Sequence, residues 1–120
     1  HGCDGTDELT ITGPSDVVEL RDGELRRFEV TPEEAGLERA SLDAIKGGDG
    51  DENARTMAAV LGGASGPIRD IVLLNSAAAL IVAGRVETLR DGVAAAAEAV
   101  DSGAVRATLD ELVAITNRAA

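Results

Sequence analysis

Two hydrophobic periods divide the chain into a β-rich opening and a helical remainder. Leu9 and Ile11 alternate with Thr10 and Thr12, which predicts a strand, and Gly13-Pro14-Ser15 turns the chain after it. Residues 16–30 carry the clearest local signal. Asp22-Gly23 stands between two strand-like runs, and a two-residue Asp-Gly loop selects a type I′ hairpin. That loop fixes the register: Arg21 opposite Glu24, Leu20 opposite Leu25, Glu19 opposite Arg26, Val18 opposite Arg27, and Val17 opposite Phe28. Two opposite-charge and two apolar pairs agree with it, each worth roughly 0.2–1 kcal/mol. Arg26 and Arg27 have two readings, an anion site or a solvated hairpin pairing its own acids, and the second is preferred.

Beyond Thr31-Pro32 the period becomes helical. Pro32 to Gly36 predicts one short turn, Ser41 to Lys46 is ambiguous, and Gly47-Gly48-Asp49-Gly50 is a loop. A Gly-Gly-Asp loop before a helix can cradle a phosphate. Asp49, Asp51 and Glu52 would repel one, so helix capping by Asp49 or Asp51 is preferred. A first helix over Glu52 to Leu61 places Ala54, Met57, Ala58 and Leu61 on one face, and Gly62-Gly63 ends it. Pro67 opens a second helix. Ile71 to Gly84 is almost uniformly apolar and is expected to be buried on most sides. It is too short to span a membrane. Asn75 inside it needs a hydrogen-bond partner and reads as a structural clamp first, a ligand contact second. Thr88 caps a third helix containing the run Ala94 to Ala97. Ser102-Gly103 breaks the chain before a last helix with a stripe of Val105, Leu109, Leu112, Val113 and Thr116.

The expected fold is α/β: a strand and a hairpin, then about four helices in one unit. Residues 1–32 hold a candidate metal loop, strand and hairpin, and residues 33–120 are mainly helical. So little sheet covers four apolar helices poorly. Either the chain packs as a compact unit or it leaves apolar surface open.

Composition narrows the chemistry. Phe28 is the lone aromatic among 120 residues, so the core must be Leu, Ile, Val and Ala. The net charge of −11 disfavours a nucleic-acid or anionic-membrane partner bound through a basic face. The lone Cys3 cannot form an internal disulfide and fits a reducing compartment. The polar opening shows no signal-peptide pattern, and a cytoplasmic location is expected. The chain starts without an initiator Met, in the middle of a motif, which reads as a piece of a longer protein.

The candidate chemistry lies in residues 1–13. Asp4, Asp7 and Glu8 crowd a segment that contains Gly2, Gly5 and Gly13. A hard divalent cation needs several carboxylate oxygens and a backbone free to bend around it. A polar turn before a strand would also look like this.

The succession of motifs carries a resemblance. His1-Gly2-x-x-Gly5-x-Asp7-Glu8-Leu9 is followed by the Gly13-Pro14 turn, the Asp22-Gly23 hairpin and Pro32-Glu33-x-x-Gly36-Leu37. Gly47-Gly48-Asp49 to Asn53-Ala54 comes next, then Arg69-Asp70-x-Val72-Leu73-Leu74-Asn75, Gly92-Val93 and Asp101-Ser102-Gly103. This order resembles the C-terminal part of the anthranilate phosphoribosyltransferase family, over essentially the whole chain. The resemblance implies a transferase that moves the phosphoribosyl group of phosphoribosyl pyrophosphate onto anthranilate, releasing pyrophosphate, in tryptophan biosynthesis. It implies Mg²⁺ as cofactor, with Asp7 and Glu8 as its ligands, and a homodimeric full-length protein whose smaller helical domain makes the dimer. No catalytic side chain is assigned to this chain. Thr6 stands where the family usually has Leu. The family's Gly-rich substrate loop and its Lys-His-Gly-Asn-Arg segment lie upstream and are absent here, so the isolated chain is expected to be inactive. Two alternatives remain: a pyrimidine nucleoside phosphorylase-like enzyme, and a non-catalytic nucleic-acid-binding homologue.

Overall fold

The computed structural model describes residues 1–118. Its sheet has two antiparallel strands, β1 (Ser15–Arg21) and β2 (Glu24–Val30). The register is the one that the Asp22-Gly23 loop dictates, from Arg21 opposite Glu24 to Val17 opposite Phe28, and it continues to Ser15 opposite Val30. Asp22 and Gly23 both have positive φ, 52° and 82°, as a type I′ turn requires. The charges arrange themselves slightly differently. Glu19 faces Arg26 at 4.0 Å, but Arg21 turns along its own strand to Glu19 at 3.5 Å instead of crossing to Glu24. Arg27 reaches Asp16 at 3.9 Å. Arg26 and Arg27 are therefore turned to the hairpin's own acids.

The strand expected over Leu9 to Thr12 does not form. Strict alternation would put the threonines on the wet side, yet Thr10 and Ile11 are both buried. The cause is local: the Thr10 and Thr12 hydroxyls are drawn inward onto Asp4, which curls the segment into bends. Backbone pairing occurs instead between Gly2 and Ser15, an isolated bridge beside β1.

After two short 3₁₀ turns, Pro32–Ala35 and Leu42–Ile45, come four helices: α1 (Gly50–Leu61), α2 (Pro67–Val82), α3 (Leu89–Asp101) and α4 (Ala104–Thr116). The caps are those the sequence indicates. The Asp49 carboxylate accepts from the Glu52 amide at 2.8 Å, and the Thr88 hydroxyl accepts from the Asp91 amide at 3.1 Å. The Gly47-Gly48-Asp49 loop thus serves the helix. The Gly48 amide that a phosphate would need is held by the Asn53 side chain at 2.9 Å.

The core sits between α2 and the segments around it. One cluster joins Ile11, Ala35 and Leu74, with Leu9, Leu37, Ile71, Leu89 and Val93 packed on it. Another joins Leu73, Ala96 and Val100 where α2 meets α3. Arg69, 11% exposed, ties the start of α2 to the end of α3 through Asp101, 2.9 Å away. Three expected apolar faces are not covered. On α1, Ala54, Met57 and Ala58 are exposed and Val60 alone is buried. On α2, Val72 and Val82 are exposed, Val82 at 89%, so burial is one-sided. The α4 stripe buries nothing. The hairpin is the reason for the second: it leaves an apolar groove of about 350 Å³ against Ala78, Ile81 and Val82 instead of closing on them. The radius of gyration, 15.6 Å, exceeds the roughly 13.6 Å of a compact domain this long, in keeping with these open faces. No helix among the described residues is long and apolar enough to cross a membrane.

Gly92 sets the α2–α3 spacing. A Cβ there would stand 2.6 Å from the Ala77 Cβ and 2.7 Å from its Cα. Alanine improves helix propensity by about 1 kcal/mol, but overpacking against backbone costs typically about 1–3 kcal/mol and occasionally more. Gly92→Ala is expected to destabilise the chain by up to about 2 kcal/mol, the overpacking cost less the propensity gain. Thermal denaturation checks this, and an unchanged or raised midpoint would show that the helices part freely.

Candidate functional site

The first twelve residues form a loop wound around one carboxylate. Asp4 Oδ1 accepts from the Thr6 amide at 3.0 Å and the Thr6 hydroxyl at 2.8 Å. Asp4 Oδ2 accepts from the Thr10 hydroxyl at 2.6 Å and the Thr12 hydroxyl at 2.8 Å. The backbone closes the same loop, with the Gly2 amide on the Thr6 carbonyl at 2.9 Å and the Cys3 amide on the Pro14 carbonyl at 3.0 Å. The Thr10 amide donates to the Ser15 hydroxyl at 3.0 Å. These donors, the Thr10 hydroxyl foremost, hold the Asp4 carboxyl well below the usual carboxylate range, against a smaller opposing effect of burial. Asp4 is therefore a structural anion with both oxygens occupied.

Asp7 and Glu8 differ from it. Both are exposed. Among the described residues neither carboxylate has a hydrogen-bond or ion-pair partner, although the side chains of Asp4, Thr6, Thr10 and Thr12 do. The chain behind them is anchored. The Leu9 amide donates to Asn75 Oδ1 at 3.0 Å, and Asn75 Nδ2 donates to the Leu9 carbonyl at 2.9 Å. Asn75 is thus the clamp that its place in an apolar helix demanded, and the partner is the residue next to Glu8. Two adjacent, unpartnered carboxylates are a fitting donor set for Mg²⁺, which takes one or two carboxylates and completes its shell with water and phosphate. They are not a full protein cage: no group of three His, Cys, Asp or Glu residues converges among the described residues.

The threonines are the part that pattern reading missed. Thr10 and Thr12 read as the polar side of a strand, and Thr6 only as a departure from the family's Leu. The signal was present as three hydroxyls within eight residues of an Asp on a glycine-bearing loop.

The depressed Asp4 value has a pH consequence. A carboxyl held below its unfolded value, about 3.9, adds stability above that pH and loses it as pH falls toward the folded value. Acid should therefore erode stability progressively below about pH 4. Asp4→Asn should be less stable at neutral pH and lack this part of the slope. Melting curves of both proteins from neutral pH to about pH 2 would read it; parallel slopes would contradict the assignment.

Comparison with known proteins identifies the family. Residues 1–106 match the model of the glycosyl transferase family, a/b domain. The anthranilate phosphoribosyltransferase of Parvibaculum lavamentivorans is 59% identical over 117 residues, covering 98% of this chain and 34% of that protein. Its namesake from Rhodopseudomonas palustris strain BisB18 is 55% identical over all 120 residues, 35% of its own length. Among solved structures, the anthranilate phosphoribosyltransferase of Thermus thermophilus superposes with a TM-score of 0.83 at 41% identity, over 92% of this chain and 33% of that one. A Saccharomyces cerevisiae variant with Mg bound gives 0.81 at 28% identity, over 91% and 32%. The chain spans about a third of the length of these relatives. With the family model matched from His1 to Arg106, the chain belongs to the glycosyl transferase family, in its a/b domain.

Proposed function

We propose that this chain is the C-terminal third of an anthranilate phosphoribosyltransferase, and that Asp7 and Glu8 are the Mg²⁺ ligands of its phosphoribosyl pyrophosphate site. The activity reading is carried by the 53–59% identity, over 97–100% of the chain, to proteins of that name. The metal reading is supported by two exposed carboxylates that have no partner among the described residues, beside an anchored backbone.

The reaction transfers a phosphoribosyl group from phosphoribosyl pyrophosphate to the amino nitrogen of anthranilate. Its transition state has oxocarbenium character at the sugar and growing negative charge on the departing pyrophosphate. Mg²⁺, when bound, supplies the Lewis-acid neutralisation of that charge. Asp7 and Glu8 hold the cation from the protein side. Asp4 takes no part in ligation, because Thr6, Thr10 and Thr12 occupy its oxygens. Its fixed charge orders the loop that presents the pair. Anthranilate is a neutral amine nucleophile, so no side chain of this segment acts as one.

The phosphate-holding loop and the anthranilate contacts belong to the rest of the full-length protein. That protein is proposed to be a cytoplasmic homodimer, and the chain alone should not turn over. Asp7→Asn with Glu8→Gln in the full-length protein should lower kcat/KM by about 10²-fold or more, the scale of losing one electrostatic stabiliser, and raise the Mg²⁺ concentration needed. Steady-state kinetics across a Mg²⁺ series decide it. Wild-type kinetics at every Mg²⁺ concentration would refute the ligand role, and turnover by the 120-residue chain would refute its incompleteness.

A further inference from the structure

Asn75 lies in the middle of α2, where asparagine is a poor helix former and the neighbouring residues are apolar. Three of its four hydrogen-bonding positions are used. Oδ1 accepts from the Leu9 amide at 3.0 Å, and Nδ2 donates to the carbonyls of Leu9 at 2.9 Å and Ile71 at 3.0 Å. Leu9 is thereby held at both its amide and its carbonyl, as a residue in a β-ladder would be, by one side chain 66 residues away. The loop's other side-chain hydrogen bonds are local, reaching no further than the nine residues from Cys3 to Thr12. Those bonds give the loop its internal shape. Asn75 sets where that shape stands relative to the helices.

The Leu9 amide belongs to the peptide unit that starts at the Glu8 carbonyl. Fixing that plane fixes the position of the Glu8 Cα and the Cα–C axis about which ψ turns, and so restricts where its side chain can reach. The Leu9 side chain packs on the Ile11–Leu74 cluster, one helical position from Asn75, which restricts the segment further.

We propose that Asn75 is a positioning residue for the metal pair: through the Leu9 peptide it aims Glu8, and with it Asp7, at the cation. This rests on the reading of Asp7 and Glu8 as Mg²⁺ ligands. Groups that orient ligands in this way typically change metal affinity about 10–100-fold when removed.

The test uses the full-length protein containing this segment, with pyrophosphate and Mg²⁺ as probes. Asn75→Leu removes both bonds to Leu9. Asn75→Asp keeps the acceptor for the Leu9 amide and loses the donor. Leu73→Ala is the control, a core truncation on the same helix facing α3. Asn75→Leu should raise the Mg²⁺ concentration for half-maximal pyrophosphate binding in calorimetry by about tenfold. Asn75→Asp should fall between it and wild type, and Leu73→Ala should leave the value unchanged despite its lower melting temperature. Hydrogen exchange of the Leu9 amide, read without metal, should quicken in the order wild type, Asn75→Asp, Asn75→Leu. A wild-type Mg²⁺ dependence in Asn75→Leu, or an equal shift in Leu73→Ala, would overturn the proposal. Asp7→Asn measured in parallel separates the two failures. If it shifts the Mg²⁺ dependence and Asn75→Leu does not, positioning alone fails. If neither shifts it, the ligand reading fails and takes the positioning role with it.

Discussion

Four donors converge on the Asp4 carboxylate, and the opening loop has its shape because of them. A partly buried anion in a chain of net charge −11 needs strong compensation. Among the described residues no basic side chain supplies it; one amide and three threonine hydroxyls do. The same bonds pull Thr10 and Thr12 inward, bury Ile11 on Leu74, and leave Asp7 and Glu8 outside. One electrostatic requirement thus sorts three neighbouring acids into a structural anion and a free pair.

Around this loop the fold provides a rigid support and little enclosure. α2 is the support: it carries Asn75 to Leu9, Leu74 to Ile11, and Ala77 to Gly92. The outer faces of α1, α2 and α4 stay open, with Met57, Val82, Leu112 and Val113 exposed. Apolar faces of this extent are costly in water. Relatives three times as long have more chain with which to cover such faces. The proposed site is open in the same sense: two carboxylates would be part of a coordination shell that a substrate phosphate completes.

Much of this was legible in the residues, where the rules are local. The Asp22-Gly23 turn determines its strand register by itself, because two positive-φ residues leave one way to pair the flanking strands. Caps at Asp49 and Thr88 follow from short side chains reaching their own helix. Asn75 was readable as a clamp because a lone amide in an apolar helix must find a partner, though not which partner. Contacts between distant residues were less accessible. Periodicity identifies an apolar face but not whether anything covers it, so the α1 and α4 stripes read as core. Alternation at Leu9 to Thr12 predicts a strand only if no stronger interaction competes, and Asp4 competes. The role proposed for Asp7 and Glu8 came from the order of motifs; their spacing alone fits a turn better.

The central claim is a division of labour among Asp4, Asp7 and Glu8. A crystal structure of the full-length protein with Mg²⁺ and pyrophosphate tests it most directly. The account predicts carboxylate oxygens of Asp7 and Glu8 about 2.0–2.1 Å from the ion, with pyrophosphate oxygens and water completing an octahedron. Asp4 should still accept from Thr6, Thr10 and Thr12. An ion held by phosphate and water alone, or one that has drawn Asp4 out of its threonine bonds into the shell, would contradict it.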